Sequence, residues 1–224
     1  MKFSLARIAV ISTLGAALSI SSAFAQDPSI NKLLSKLPPP EQVIKTDPAF
    51  RDPLRTQIAS AIKAQNFGQA MELLRKLAQR YPKSAGAQAS LGLLAFQLHR
   101  LDEAADAFRR TIAIQPNLAF GYFGLGAVEY SEGHIAAAIP HFHKSLQLEP
   151  RAVSNWLFLS ACAEKLGHKQ ESLDYAKHAT TTSPNLSATW IRLAHAESML
   201  GHQREALAAI KRAQQIKKTG KKLG

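Results

Sequence analysis

The chain has 224 residues, 46% of them hydrophobic, which is enough apolar material to bury a sizeable core. Its single cysteine, Cys162, excludes an intramolecular disulfide, so the fold must be stabilised by packing. We expect Cys162 to be a small buried apolar residue, and an exposed thiol that links two chains is the alternative. The formal net charge is +12, and much of it lies near the C-terminus.

The first 25 residues have the layout of a secretory signal peptide. Lys2 and Arg7 precede an apolar run over residues 8–20, and the segment ends in Ala-Phe-Ala. A helix of that length spans about 20 Å, whereas a bilayer core is about 30 Å thick, so cleavage after Ala25 is favoured over a retained anchor. We therefore expect an exported, periplasmic protein of a bacterial cell envelope that begins at Gln26.

Residues 26–50 are predicted to form a Pro-rich N-terminal linker. Proline fixes φ and cannot donate a backbone hydrogen bond, so this composition favours extended backbone. The alternative is that Val43, Ile44 and Phe50 fold back into a groove of the domain that follows. The prolines of the segment are Pro28, Pro38, Pro39, Pro40 and Pro48.

From residue 51 onward the sequence repeats with a period of 34 residues. In the second unit the pattern predicts two short amphipathic helices, Ala85 to Leu98 and Leu101 to Ile114. Small residues recur at positions 8 and 20 of the units, where they would let the two helices approach closely. The turn between the helices holds glycine in three units, where a positive φ is tolerated. The recurring prolines and glycines are Pro82, Pro116, Pro150 and Pro184, and Gly133, Gly167 and Gly201.

This pattern of aromatic, Leu-Gly, Ala, Phe and Pro resembles the tetratricopeptide repeat (TPR) family. The resemblance implies an all-α fold, an α-solenoid that winds as a right-handed superhelix of helix-turn-helix repeats. The chain departs from the family at position 11, where the usual tyrosine is replaced by Glu129 and Glu197 in the third and fifth units. The implied repeats are 51–84, 85–118, 119–152, 153–186 and 187–220, followed by a basic tail at 221–224.

The same resemblance implies a protein-binding groove lined by the first helix of each repeat. Positions 2, 5, 9 and 12 would point into it, and they are mostly apolar or aromatic here, which suits an apolar peptide or an amphipathic helix of a partner. For Phe123 and Leu157, packing between adjacent repeats is an equal alternative. The implied groove residues are Arg55, Ile62, Phe96, Phe120, Phe123, Tyr130, Leu157, Glu164, Ile191 and His195.

The end of the chain is strongly basic, with seven Lys or Arg against Glu205 from Arg204 onward. One interpretation is that these residues keep the apolar end of the repeat array in solution. The alternative is that the basic C-terminus attaches the protein to anionic lipid or a cell-wall polymer, or to an acidic protein. Besides Arg204, the basic residues are Lys211, Arg212, Lys217, Lys218, Lys221 and Lys222.

No pattern in the sequence indicates catalysis or a cofactor. Three histidines lack the neighbouring Asp, Glu or Cys of a metal site, so we expect solvated surface residues. Three glycines resemble a phosphate loop, but they lie in a predicted helix with no strand before them and no lysine after them. We therefore expect a non-catalytic scaffold for another envelope protein, without metal or nucleic acid. These residues are His134, His141 and His143, and Gly121, Gly124 and Gly126.

Overall fold

The computed structural model describes residues 47–220, and within this range every regular element is helical. The predicted signal segment, most of the predicted linker and the tail at 221–224 lie outside the described residues. A 3-10 helix at Pro48–Arg51 precedes ten α-helices. These are α1 (Leu54–Lys63), α2 (Phe67–Arg80), α3 (Ala85–Gln97), α4 (Leu101–Ile114), α5 (Ala119–Ser131), α6 (Ile135–Leu148), α7 (Val153–Lys165), α8 (Lys169–Thr182), α9 (Ser187–Met199) and α10 (Gln203–Gly220).

The helices follow the 34-residue frame, two to each predicted repeat. In the second repeat α3 and α4 begin at Ala85 and Leu101, as the periodicity predicts. Helices α1 and α2, α3 and α4, α7 and α8, and α9 and α10 pack against each other as pairs. The predicted all-α fold of tandem helix-turn-helix repeats is therefore confirmed. No helix within residues 47–220 is both long and apolar enough to cross a bilayer.

The chain divides into two compact units between Val128 and Glu129. The first unit has a continuous apolar core in which Ile62, Leu94 and Phe108 are almost completely buried. In the second unit the ring of Phe142 stacks on that of Phe158 from α7, with 5.0 Å between centroids. Each unit thus has a buried core of its own.

The positions predicted to hold small residues lie at the helix crossings and are buried. At position 8, for example, a Cβ atom added to Gly92 would lie 3.0 Å from the ring of Phe108. Close approach of the helices therefore requires a small side chain at these positions. The residues at position 20 are Ala70, Ala104, Ala138, Ser172 and Ala206, each with at most 4% of its surface exposed.

The turn between the two helices of each repeat contains one residue with a positive φ. Gly133, Gly167 and Gly201 adopt φ values of 80–83°, which confirms their predicted role. The first two repeats adopt the same geometry without glycine, at Gln65 (φ 56°) and His99 (φ 59°). A side chain with a Cβ atom is strained in this region, so these two turns lower the stability of their repeats.

We expect His99→Gly to raise the free energy of unfolding by about 1 kcal/mol, because glycine removes the left-handed strain of this exposed turn. Urea denaturation followed by circular dichroism measures the change. Gly133→Ala is the matched control, since it introduces the same strain at the equivalent turn and should be destabilising by a similar amount. A His99→Gly variant less stable than the wild type would contradict this account of the turn.

Asp52 lies just before α1 and holds the start of this helix to the end of α2. Its carboxylate accepts hydrogen bonds from the Leu54 backbone N–H (2.8 Å), the Arg80 guanidinium (2.7 Å) and the Tyr81 hydroxyl (2.9 Å). The side chain is only 2% exposed. The backbone hydrogen bond from Leu54, followed by that from Arg80, lowers the pKa of Asp52 below its ordinary value. The fold therefore favours the ionised carboxylate.

This lowered pKa predicts acid sensitivity. Above the unfolded pKa of about 4, the stabilising contribution of Asp52 is fully present, and it is lost as the pH falls through the lower folded pKa. The urea midpoint of the wild type should therefore fall more between pH 5 and pH 3 than that of Asp52→Asn. Asp106→Asn removes an exposed carboxylate that pairs with Arg109, and it should keep the wild-type pH dependence.

Candidate functional site

In the first unit, the predicted groove residues Arg55, Phe96 and Phe120 are half-buried on the first helices α1, α3 and α5. The Phe120 ring stands edge-on to Phe108, with 5.9 Å between centroids, so one side of it is anchored in the core. Phe96 also packs against this core. Ile62, in contrast, has no exposed surface and belongs to the core itself.

The guanidinium of Arg55 lies 3.8 Å above the ring of Phe50, at the end of the predicted linker. A cation over an aromatic face at this distance is attractive, so the contact helps to hold the 3-10 helix against α1. The alternative in which the linker folds back onto the groove is consistent with this contact at Phe50. Its other two residues, Val43 and Ile44, lie outside the described residues.

Phe123 and Leu157 are buried, with 5% and 6% of their surface exposed. Their burial supports the packing alternative for both positions. The Phe123 ring lies 6.4 Å from that of Phe120, centroid to centroid, within the first unit. We therefore leave Phe123 and Leu157 out of the surface proposed for binding, because a partner could reach them only by opening the core.

In the second unit, Glu164 and His195 meet around Arg192, a residue outside the predicted groove set. Arg192 Nη2 donates to Glu164 Oε2 at 2.5 Å, and His195 Nδ1 lies 3.3 Å from the same oxygen. Arg192 Nε donates to Ser160 Oγ at 2.7 Å, and Nη2 lies 3.4 Å from Ser172 Oγ. We call these five residues the Arg192 cluster. It ties α9 to α7 and α8 and fixes the orientation of the Glu164 carboxylate.

The Arg192 cluster is only partly open to solvent. The Arg192 side chain is 18% exposed, that of Glu164 27% and that of His195 54%. Ser160 and Ser172 are completely buried, and Ser160 Oγ donates to the Ser172 carbonyl oxygen at 2.8 Å. A ligand on this surface would therefore meet the imidazole of His195 first and the carboxylate of Glu164 behind it.

The repeat pattern contains no signal for Arg192. The equivalent residues of the other repeats have no common property, since they are Thr56, Ser90, Gly124 and Phe158. The pair Ser160 and Ser172 is the sequence feature that could have indicated a polar contact here. Only the fourth repeat has hydroxyl groups at both position 8 and position 20, where the two helices cross. Two buried hydroxyls facing each other need polar partners, which indicates a buried polar contact in this repeat.

Tyr130, another predicted groove residue of the second unit, is half-buried at the end of α5. Its ring stands edge-on to Phe158, with 5.5 Å between centroids. Burial raises the pKa of Tyr130 to about 12, so the hydroxyl stays protonated at neutral pH and can donate a hydrogen bond. Ile191, on α9, is half-buried as well.

Cys162 is fully buried within α7, which confirms the prediction that it is a small core residue. Burial raises the pKa of its thiol to about 11. The thiol is therefore protonated at neutral pH, and its nucleophilicity is correspondingly low.

The three histidines of the third repeat occupy different environments. His134 is largely exposed and precedes α6, whereas His141 is half-buried with its Nε2 atom 3.4 Å from Glu129 Oε1. His143 Nε2 lies 3.4 Å from the Tyr175 hydroxyl. The prediction of solvated surface residues therefore describes His134 best. Among residues 47–220, no group of three or more His, Cys, Asp or Glu is placed to hold a metal ion.

The glycines that resemble a phosphate loop have a packing role instead. Gly121 and Gly124 lie within α5, and a Cβ atom on Gly121 would lie 2.9 Å from the Ile112 side chain. At Gly124 the added atom would lie within 2.5 Å of three atoms of the Phe108 ring. These glycines let α5 approach α4 closely within the first unit.

Five of the basic residues near the C-terminus lie on α10. Lys211, Arg212, Lys217 and Lys218 are all exposed, as is Arg204 at the start of the helix. Lys221 and Lys222 lie outside the described residues. Helix α10 also carries Leu207 and Ile210, which are two of the exposed large apolar residues of the described chain.

Comparisons with a family model and with solved structures show what this chain is similar to. A family model described as "Tetratricopeptide repeat" matches residues 56–119. The comparison with curated proteins gives no match. Among solved structures, "Crystal structure of MamA" is 15% identical over 74% of this chain and 96% of its own length, with a TM-score of 0.65. "MamA 41-end from Desulfovibrio magneticus RS-1" is 13% identical over 74% of this chain and 94% of its own, with a TM-score of 0.65.

A further MamA structure, from AMB-1, is 22% identical over 73% of this chain and 96% of its own length, with a TM-score of 0.55. At these identities the likeness concerns the fold. It agrees with the family match over residues 56–119 and with the helix pairs that follow in the same frame up to residue 220. Residues 56–119 thus match the tetratricopeptide repeat family, and the chain shares the fold of the MamA structures.

Proposed function

We propose that this protein is a non-catalytic scaffold that binds a peptide or helix of a partner protein on the first helices of its repeats. The observation that carries the proposal is the placement of Phe96 and Phe120 in one unit, and of Tyr130 and Ile191 in the other. Each is half-buried; Phe96 and Phe120 pack against the core of the first unit, and the Tyr130 ring contacts that of Phe158. Anchored apolar side chains of this kind dominate the affinity of protein interfaces.

The chemistry of these side chains suggests what the partner presents. Phe120 offers an aromatic ring to an apolar side chain. In the second unit, the protonated Tyr130 hydroxyl is a donor, and the Glu164 and His195 side chains add polar contacts. An apolar segment with a few polar groups, such as an amphipathic helix or an extended peptide, suits these surfaces.

The proposal that the protein is not an enzyme rests on the roles already taken by its polar side chains. Asp52 caps α1, and Glu164 is held by Arg192. Cys162 is a buried, protonated thiol. These carboxylates and this thiol thus serve packing and helix capping. Repeats of this kind generally act as binding modules.

Site-directed crosslinking of the full-length protein in its native envelope tests the proposed surface. We expect Phe120→Glu together with Tyr130→Glu to reduce crosslinking to the partner at least about tenfold, because a charge would replace each anchor. Leu166→Glu is the matched control, since Leu166 is 40% exposed and lies in the turn after α7. Its crosslinks should be unchanged.

Circular dichroism must show that the double variant is folded. The proposed surface is wrong if the folded double variant keeps its crosslinks, or if the control loses them equally.

We also propose that the protein is exported and works in a bacterial periplasm. The support is the basic, apolar and Ala-Phe-Ala layout of residues 1–25. The mass spectra of the crosslinked protein include its N-terminal peptide, and this peptide should begin at Gln26. Attachment of the basic C-terminus to anionic lipid or a cell-wall polymer stays a prediction.

A further inference from the structure

In the first four repeats, positions 21, 24 and 28 of the second helix form a buried or partly buried stripe. In the fourth repeat these are Leu173, Ala176 and Thr180 on α8, and all three are buried. Leu173 and Ala176 pack against α9, the first helix of the next repeat, which contributes a stripe of its own. The stripe on α9 consists of Leu193, Ala196, Met199 and Leu200.

The same positions are exposed at the end of the array. On α10 they are Leu207, Ile210 and Gln214, and Leu207 and Ile210 are 58% and 41% exposed. Within residues 47–220 no helix follows α10 to cover them. In the earlier second helices the stripe is buried at Met71, Leu74 and Ala78, at Ala105 and Phe108, and at Phe142 and Leu146.

The charged residues beside Leu207 and Ile210 indicate what kind of helix could cover them. With about 100° per residue, Arg204, Lys211 and Lys218 lie along one border of the stripe and Lys217 along the other. Glu205, the single acidic residue of α10, lies on the opposite side of the helix. A helix that covers Leu207 and Ile210 would therefore place its flanking residues beside positive charges.

A second copy of this chain does not fit that description. The first helix of the array, α1, presents Gln57, Ser60 and Lys63 at the positions where α9 presents Leu193, Ala196 and Met199. All three α1 residues are exposed. Stacking α1 of one copy on α10 of another would cover apolar side chains with polar ones and bring Lys63 close to the lysines of α10.

We propose that the exposed side of α10 around Leu207 and Ile210 is a second docking surface, separate from the first-helix surface. Its occupant is a helix of a partner protein with an apolar stripe like that of α9 and with acidic residues along its borders. The partner helix takes the place that a sixth repeat would occupy. Apolar contacts provide most of the affinity, and the basic residues along the stripe favour an acidic helix over a neutral or basic one.

A designed peptide tests this proposal on the full-length protein. The probe is residues 187–202 carrying Arg192→Glu and His195→Glu, labelled with a fluorophore and read by fluorescence anisotropy. It keeps the stripe residues Leu193, Ala196 and Met199 and gains two acidic residues on one side of the stripe. The comparison probe carries Arg192→Lys and His195→Lys. We expect the acidic probe to bind at least about tenfold more tightly than the basic one, and its affinity to fall with added salt.

Variants of the protein locate the binding. Leu207→Glu together with Ile210→Glu should weaken the acidic probe at least about tenfold, and both sites are exposed, so the fold should tolerate the change. Leu166→Glu, another exposed leucine, should leave the affinity unchanged. Undiminished binding to the double variant would mean that the probe replaces α9 on α8 instead, and the proposal would be wrong.

Two further experiments would show whether something other than a partner helix binds this side of α10. If phosphatidylglycerol vesicles bind the protein through Leu207 and Ile210 while the acidic probe does not bind, the surface faces a membrane and the proposal fails. If sedimentation velocity shows a dimer that the double variant loses, the occupant is a second copy, and the proposal fails as well. Loss of crosslinks in the Phe120 and Tyr130 variants tests the other surface and is independent of these results.

Discussion

Gly124→Ala should lower the free energy of unfolding by about 3 kcal/mol, at the upper end of the usual cost of overpacking a core. A Cβ atom at this position would lie 2.5 Å from two atoms of the Phe108 ring. Phe108 is 1% exposed and its ring also touches Phe120 edge-on, so it has little room to move. The clash must be relieved by separating α4 from α5. Urea denaturation measures the loss.

Gly68→Ala is the control, because its added Cβ atom would meet only the Asn66 side chain, at 3.9 Å. Gly68 is an exposed helical residue, and alanine there should raise stability by about 0.5–1 kcal/mol. Phe108→Leu in the Gly124→Ala background should recover part of the loss, since it removes the ring that clashes. If Gly124→Ala is as stable as Gly68→Ala, the close approach of α4 and α5 is not required.

The boundaries of the repeats could be predicted from the sequence because the same 34-residue pattern occurs five times. A single copy of Ala85–Ile114 is consistent with many helical hairpins, but the recurrence of small residues at the crossings and of glycine in the turn fixes the spacing of the array. For the same reason, the sequence also explains the strained turns at Gln65 and His99. Their φ values follow from the geometry shared with Gly133, Gly167 and Gly201.

Contacts specific to one repeat could not be predicted in this way. Position 6 shows why, because it holds Gly124, Phe158 and Arg192 in three successive repeats. Gly124 admits the Phe108 ring, Phe158 stacks on Phe142, and Arg192 binds Ser160 and Glu164. The residue at position 6 therefore packs the first helix on its neighbours in a different way in each repeat. Because these residues share no property, the repeat pattern does not predict their contacts.

The candidate groove shows the same limit. The resemblance assigns Phe120 and Phe123 alike to the inner surface, since both fall at groove positions of one helix. Phe123 is buried, however, while Phe120 keeps part of its ring at the surface. Burial at this level depends on how closely each helix approaches its neighbours, and that distance is set by residues such as Gly124 that the repeats do not share.

Arg192→Met should lower the free energy of unfolding by about 2 kcal/mol, because it removes the charged partner of a partly buried carboxylate and of a buried hydroxyl. Glu164 would then keep His195 beside it, at 3.3 Å, but would lose its permanently charged partner. The double variant Arg192→Met with Glu164→Gln should recover part of this loss, since no unpaired carboxylate remains. Urea denaturation of both variants and of Glu164→Gln alone gives the coupling between the two residues.

Arg109→Met is the control for the loss of an arginine as such. Arg109 pairs with Asp106 at 3.1 Å, but both side chains are more than 60% exposed, so the change should cost less than about 0.5 kcal/mol. Equal losses for Arg192→Met and Arg109→Met would mean that the Arg192 cluster does not hold α9 to α7 and α8. A larger loss for Arg192→Met, with partial recovery by Glu164→Gln, would show that the same contact positions the Glu164 carboxylate on the proposed binding surface.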